Sequence, residues 1–319
     1  AYYRTEHGLH NELKVPRPQR RAGQSETPAA IRIAPRIVTD CDVVVVGSGA
    51  TGGWAAKELT EAGFSVLVLE SGASLAPDEH SRDKRLPYQL PLRNMLDADW
   101  QFKERQPVQS KVWACDEYSQ KFFVDDIDNP YETPDKKDFI WVQGSRVGGR
   151  MNVWGRQVYR YSDADFKAAD LDGFGENWPI SYSDLAPFYD EVEDFIGVSG
   201  STEGLPQLPD GKFLPPMELT DGEKILKERV EARWNDRKVI IGRTATLTAP
   251  HRGRSACHYC GSCYRGCPTF SFFDSVSHTL SAAAQTGKLS LTSDALVTKV
   301  LVDQKTKLAS GVEYVDKST

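Results

Sequence analysis

Two short stretches of this chain carry residues whose types and spacing could do chemistry. In the first, Cys257, Cys260, Cys263 and Cys267 fall within eleven residues, spaced C-x2-C-x2-C-x3-C and followed by Pro268. Thiolates at this spacing form the bacterial ferredoxin pattern for an iron–sulfur cluster. Gly261 and Gly266 let the segment wrap a compact cluster. The fourth cysteine of such a run serves the other cluster in two-cluster ferredoxins. With one run here, four ligands would make a 4Fe–4S centre and three a 3Fe–4S centre. Zinc competes, although structural zinc sites draw their ligands as two separated pairs and no second pair exists, with only His251 and His258 nearby. Disulfides or plain thiols are the third reading. Arg252, Arg254 and Arg265 would favour thiolate charge under either metal reading.

The second stretch is Gly47-Ser48-Gly49-Ala50-Thr51-Gly52, a G-x-G-x-x-G loop. It follows the β-branched run Val43 to Val46 and opens a helical pattern. Gly47 permits the tight turn, Gly49 lets backbone approach a pyrophosphate, and Gly52 lets the helix lie close to the strand. The N–H groups at Ala50 and Thr51 and the positive end of the helix dipole face the phosphates. Glu70, 18 residues after Gly52, ends the next strand pattern and is placed to accept hydrogen bonds from a ribose. Its charge would repel a 2′-phosphate, which disfavours NADP. The loop by itself leaves NAD and FAD both open. A Gly-rich turn without a ligand is the plain alternative.

These residues need elements to hold them. Residues 40–72 read as one βαβ unit, with a helix from Thr51 to Ala62, Gly63 as its stop and a second strand from Ser65 to Glu70. The unbroken apolar strands predict a parallel sheet covered on both faces. Residues 73–140 are broken by prolines and suit long excursions from the sheet. An amphipathic helix is expected over 181–196 with Leu185, Phe188, Val192 and Ile196 on one side, then helices over 221–235 and near 274–285. A strand pair is expected from Leu296 to Val302 and Ala309 to Val315. The fold class is therefore α/β, a Rossmann-like domain with a parallel central sheet plus a partial α+β substrate domain. The expected organisation is an extension or arm over 1–37, the dinucleotide domain over 38–160, a cap over 161–245, the cysteine segment over 246–290 and returning strands over 291–319.

The whole chain has 319 residues, a formal net charge of −6 and 39% hydrophobic residues. Two packed domains fit that length. The charge offers no basic face for nucleic acid. No apolar run is long enough for a membrane-spanning helix. The first residues, AYYRTEHGLHNELKVPRPQRRAG, lack the apolar core of a signal peptide. The isolated Cys41 and Cys115 read as buried small hydrophobes. There is no HExxH, no GxxxxGK[ST] and no GxSxG, so metalloprotease, kinase and serine-hydrolase readings have no support. The six histidines (His7, His10, His80, His251, His258, His278) read as surface or structural residues.

The stretch DVVVVGSGATGGWAAKELTEAGFSVLVLESG resembles the opening of the glucose–methanol–choline (GMC) family of FAD-dependent oxidoreductases. GSRVGGRMNVWGRQVYR, residues 144–160, resembles the family's Gly-Gly segment, which runs along the flavin. GENWPISYSDLAPFYDEVEDFIGVSG and CHYCGSCYRGCPTFSFFDS resemble its sugar-oxidising bacterial branch, of the glucoside 3-dehydrogenase type. The resemblance implies FAD, and a site to which Ser71, Arg146, Gly148, Gly149, Asn152, Val153, Trp154 and Val297 also belong. Gly148 and Gly149 would let backbone lie against the flat flavin ring; a tight turn with Trp154 in the core is the plainer reading. Relatives with a covalent flavin carry a His in this stretch. Asn152-Val153-Trp154 stands here, so non-covalent FAD is expected. The family's catalytic His and its His or Asn partner belong to a C-terminal half beyond Thr319, so no catalytic residue is assigned within these residues.

The expected activity is oxidation of a sugar or glycoside hydroxyl to a ketone, with electrons passing from flavin through the iron–sulfur cluster to an external acceptor. A flavin-binding electron-transfer or assembly subunit without its own base, and an NAD-dependent dehydrogenase, are the alternatives. A small subunit bearing the export signal and a cytochrome acceptor are the expected partners. That implies a periplasmic location by co-export, with the cytoplasm as the alternative.

Overall fold

A computed structural model describes residues 40–75, 87–89, 100–137, 139–261, 263 and 266–318. The extension expected over 1–37 lies outside the described residues. The chain divides into two compact units. The first runs to Trp154 and takes up Ser262–Pro268 and Asp274–Thr319; the second holds Gly155–Gly261 and Thr269–Phe273.

The first unit is built on three parallel strands in the order β1-β2-β3, β1 being Val43–Val46, β2 Val66–Leu69 and β3 Leu289–Thr292. The register pairs Val43 with Val66 and Val66 with Leu289. All four residues of β2 are buried. Val66 and Val68 point into a core with Val45, Ala56, Val147, Leu280, Ala283, Leu289 and Leu291. Leu67 and Leu69 point the other way, against Ala295, Val297, Val312 and Tyr314. A strand covered on both faces needs apolar residues at every position, which is why β2 reads VLVL rather than alternating. Each side chain so buried contributes about 1.5–3 kcal/mol.

Helix α1, Ala50–Glu61, connects β1 to β2. Its Ala62 cap and Gly63 at φ +103° end it as expected. It lies close to the Ser275–Gln285 helix because Gly53 has no side chain: a Cβ there would stand 2.5 Å from Thr279 Oγ1. That second helix begins as a π-helical turn, Ser275–Leu280, before becoming α-helical at Ser281–Gln285. Strands β4, Ala295–Val302, and β5, Ala309–Asp316, form an antiparallel pair. Their turn is tightened by Asp303, whose Oδ1 accepts from the N–H groups of Lys305 and Thr306 at 2.9 and 2.7 Å. β3 has no counterpart among the elements expected from sequence.

The second unit contains the helices Tyr182–Ile196 and Asp221–Arg233. Both begin with a capping box, Ser181 with Asp184 and Thr220 with Glu223. The buried side of the first helix differs from the stripe read in the sequence. Phe188 is 59% exposed, while Glu193 and Ile196 are buried. The reason is Arg160, itself buried, whose Nε and Nη2 donate to Glu193 Oε1 and Oε2 at 3.0 and 2.5 Å. Its Nη2 also reaches Asp190 Oδ1 at 2.6 Å, and its Nη1 donates to the Tyr182 hydroxyl at 3.0 Å. Burial opposes the guanidinium charge, but the bonds to Glu193, Asp190 and Tyr182 outweigh it and hold the group above its usual range. Cys115 is buried as expected, whereas Cys41 is only half-buried, being next to the exposed chain at Asp40 and Asp42.

Candidate functional site

The loop between β1 and α1 is fixed by what its glycines exclude. Gly47 sits at φ +89°, a left-handed conformation that admits few other residues. A Cβ on Gly52 would fall inside the Gly47 carbonyl, so the third glycine holds helix against strand as its place in the motif predicts. Gly49 is different: among the described residues a Cβ there would meet nothing within 4 Å. Gly49 is also the cap of α1, which has no side-chain cap and no acidic residue in its first turn. Ala50 and Thr51 are exposed. Among the described residues the first N–H groups of the helix thus have no side-chain cap and no acidic neighbour in the first turn set against an anion.

Glu70 closes the loop from β2. Its Oε2 accepts from the Ser48 N–H at 2.9 Å and from the Ser48 hydroxyl at 2.6 Å. Its Oε1 accepts from the Gly72 N–H at 2.8 Å and from the Ser71 hydroxyl at 3.3 Å. The carboxylate is 6% exposed and has only neutral donors among its hydrogen-bond partners here.

The Gly-Gly segment meets this loop. The Gly148 N–H donates to the Ser48 hydroxyl at 2.9 Å. A Cβ on Gly148 would stand 2.7 Å from Val276 Cγ2, and one on Gly149 would stand 3.1 Å from the Gly49 Cα. The close approach that these glycines permit is thus, within the chain itself, to the 275–280 turn and to the phosphate loop. Asn152 stitches the turn, its Nδ2 donating to the carbonyls of Val147 and Gly149 at 3.0 Å each. Gly72 lies against the backbone of Ser145 and Arg146 with no room for a side chain. Arg146 donates from Nε to the Lys121 carbonyl at 2.5 Å.

Among the residues singled out in sequence, the structure brings together Gly47, Gly49, Ala50, Thr51, Gly52, Glu70, Ser71, Arg146, Gly148, Gly149 and Asn152. Val153 packs toward Ala114, Cys115, Phe122 and Phe123 instead. Trp154 is half-buried. Val297 belongs to the β4–β5 cluster over Leu67 and Leu69. Two residues of the site escaped sequence reasoning. Ser48 is an unspecified position of the motif, its one signal a hydroxyl between two glycines. Gly72 is an ordinary glycine after a strand.

The cysteines are divided between the units, Cys257 and Cys260 in the second, Cys263 and Cys267 in the first. Cys267 is buried, Cys257 and Cys263 are half-buried and Cys260 is exposed. The chain reverses repeatedly here, with Tyr259, Gly261 and Gly266 at φ +56°, +71° and +100°. The Tyr259 N–H donates to Cys257 Sγ at 3.3 Å. Among the described residues no group of three or more His, Cys, Asp or Glu is placed to hold a metal ion. His278 is buried, with Nδ1 3.0 Å from the Asp274 carbonyl; His251 Nε2 lies 2.6 Å from the Asp194 carbonyl and His258 is exposed. No helix of the described residues is long and apolar enough to cross a membrane.

Residues 41–319 match the sequence model of the GMC oxidoreductases. The chain therefore belongs to that family, the FAD-dependent one its motifs resemble. It is 28% identical to 2-methyl-1,2-propanediol dehydrogenase of Mycolicibacterium austroafricanum over 87% of this chain and 46% of that protein. It is 27% identical to the fructose dehydrogenase large subunit of Gluconobacter japonicus over 76% of this chain and 43% of that protein. The gluconate 2-dehydrogenase flavoprotein of Pantoea cypripedii is 25% identical over 86% of this chain and 47% of that protein. The chain thus spans less than half the length of each of these relatives.

Proposed function

We propose that this chain is the FAD-holding part of a dehydrogenase that oxidises a hydroxyl group of a sugar or glycoside to a ketone. The observation that carries the reading is the open space at Gly49 before an uncapped helix N-terminus, beside a carboxylate with only neutral hydrogen-bond partners. A pyrophosphate suits the first feature and a ribose the second. Bound FAD supplies a hydride acceptor. The chain's own part is to bind and orient: the N–H groups of Ala50 and Thr51 hold the phosphates, Glu70 holds the ribose, and the 148–152 turn is held together by Asn152 and fixed against the loop by Ser48. No His stands in residues 144–160, which fits non-covalent FAD. No catalytic base is assigned among these 319 residues.

Relatives named for fructose and gluconate support a carbohydrate substrate, and the name "large subunit" supports an assembly with partner chains. On that basis the partners are a small subunit bearing an export signal and a cytochrome acceptor, in the periplasm. Cys257, Cys260, Cys263 and Cys267 are the donor set for an iron–sulfur cluster. Only their ferredoxin spacing in the sequence supports the cluster, since no three such ligands come together among the described residues; when bound, such a cluster supplies one-electron transfer. Iron and acid-labile sulfide at about three to four atoms per chain would support it; stoichiometric zinc without iron would remove it. Cys260→Ser should slow turnover with a one-electron acceptor and leave flavin reduction by sugar in place.

The test of the main reading has two parts. The dinucleotide released on denaturation of the native protein is expected to be FAD, and candidate sugars are expected to bleach the flavin absorbance anaerobically. Release of NAD would assign a different dehydrogenase. FAD that no sugar or alcohol bleaches in the full-length protein would leave an electron-transfer or assembly role.

A further inference from the structure

We propose that Ser48 is the positioning residue that sets which oxygen of Glu70 meets the cofactor ribose, an inference that rests on the dinucleotide reading above. Ser48 is completely buried, and its hydroxyl has two partners. The Gly148 amide, 2.9 Å away, can only donate, so the hydroxyl oxygen must accept there. Its single proton is then committed to Glu70 Oε2 at 2.6 Å. The Ser48 N–H adds a second donor to that oxygen at 2.9 Å. A carboxylate oxygen offers about two acceptor directions, so Oε2 is filled by one residue.

Oε1 is held differently. The Gly72 N–H donates to it at 2.8 Å, while the Ser71 hydroxyl stands at 3.3 Å, long for an O–H donor. A ribose hydroxyl can take the place of Ser71 at Oε1 without disturbing the loop. At Oε2 it would have to break the link between the phosphate loop and the Gly-Gly segment. Ser48 thereby turns a symmetrical carboxylate into one with an inner and an outer oxygen, and joins the ribose acid to Gly148, 100 residues along the chain. Without the hydroxyl, Glu70 loses its shortest bond and its link to Gly148 and is held by the Ser48 and Gly72 N–H groups and the long Ser71 contact alone, so its fixed presentation to the ribose is weakened.

The experiment compares FAD with FAD lacking the adenosine 2′-hydroxyl, titrated calorimetrically into ligand-free full-length protein. Wild type is expected to bind the deoxy ligand about tenfold or more weakly, as for a lost hydrogen bond to a charged group. Ser48→Ala is expected to shrink that factor to about twofold or less. A merely structural loosening would weaken both ligands alike and leave the ratio unchanged, so an unchanged ratio overturns the proposal. Ser71→Ala, at a half-buried position that tolerates truncation, is expected to keep or widen the discrimination, because it vacates Oε1. Collapse of the ratio in Ser71→Ala would overturn the assignment of Oε1 as the outer oxygen. Wild type that binds FAD but ignores the 2′-hydroxyl would sink this inference alone. Wild type that takes up no FAD would sink the dinucleotide reading as well.

Discussion

Glu70 in the first unit and Glu193 in the second are both hidden, at 6% and 2% exposure, and their surroundings are opposite. Glu193 faces a guanidinium that grips both its oxygens, and the adjoining Gly211 is pressed so closely that a Cβ would stand 2.5 Å from Arg160 Nη2. Charge is cancelled on the spot and the space is closed. Glu70 is held by N–H and O–H dipoles that satisfy it without a counter-charge, and the glycine of its loop, Gly49, opens onto space. A carboxylate neutralised by arginine in a packed cavity is a staple. One held by neutral donors alone is not such a staple. The same residue type at similar depth thus stands in two settings, told apart by the partner's charge and by the space beside the nearest glycine.

The sharpest way to break this contrast is to remove Glu193. Glu193→Ala should cost about 3 kcal/mol, the lower end for a broken buried pair, because the buried Arg160 keeps only Asp190 and Tyr182 as partners. Thermal melting should show the loss, and a change under about 1 kcal/mol would mean the pair is not a staple. On the other side, the two loop glycines should separate. Gly52→Ala drives a methyl into the Gly47 carbonyl and should cost about 3 kcal/mol even without cofactor, at the upper end of overpacking. Gly49→Ala should leave the ligand-free protein within about 0.5 kcal/mol of wild type while weakening FAD about tenfold or more, since it fills only open space. Equal destabilisation by both changes would show that the space at Gly49 is not a ligand's.

The smallest expected effect concerns Asp210, a second arginine-paired acid. Burial raises its pKa, but the N–H groups of Glu203 and Gly204 and the Arg243 guanidinium lower it more, so the carboxyl sits below its ordinary value of 3.8. A depressed folded-state pKa gives stability that is present above the unfolded pKa and lost as pH falls through the folded one. Melting temperature should therefore drop below about pH 4, and Asp210→Asn should flatten that drop while lowering stability at pH 7. An identical acid slope in the variant would remove Asp210 from the account.

Much of the first unit was legible because its signals are local. The VVVV and VLVL runs, the glycine spacing and Gly63 each act within a turn or two of themselves, and β1, α1 and β2 fall within two residues of their expected limits. The family was legible for the same reason. What stayed hidden depends on distant partners. β3 is four residues, LSLT, whose only reason to be a strand is β2 beside it. On the Tyr182–Ile196 helix periodicity found Ile196 but not Glu193, which is buried by Arg160 rather than by its own polarity. Ser48 is specified by Glu70 and Gly148, neither of which its neighbours announce.

The pairing of β2 with β3 also has a consequence in time. Val66 finds Leu289 across about 220 residues of sequence, and Glu70 donates its own N–H to the Thr292 carbonyl at 2.9 Å. During synthesis the loop, its helix and Glu70 are made well before β3, so one side of β2 has no partner until residue 292 has left the ribosome. At roughly 5–20 residues per second that interval is on the order of 10–45 seconds. For that time the nascent βαβ unit exposes a naked strand edge of four apolar residues, the kind that pairs with other chains. The three-stranded sheet is thus begun at β1 and finished only at residue 292, and anything that shields the edge of β2 in between acts before the sheet is complete.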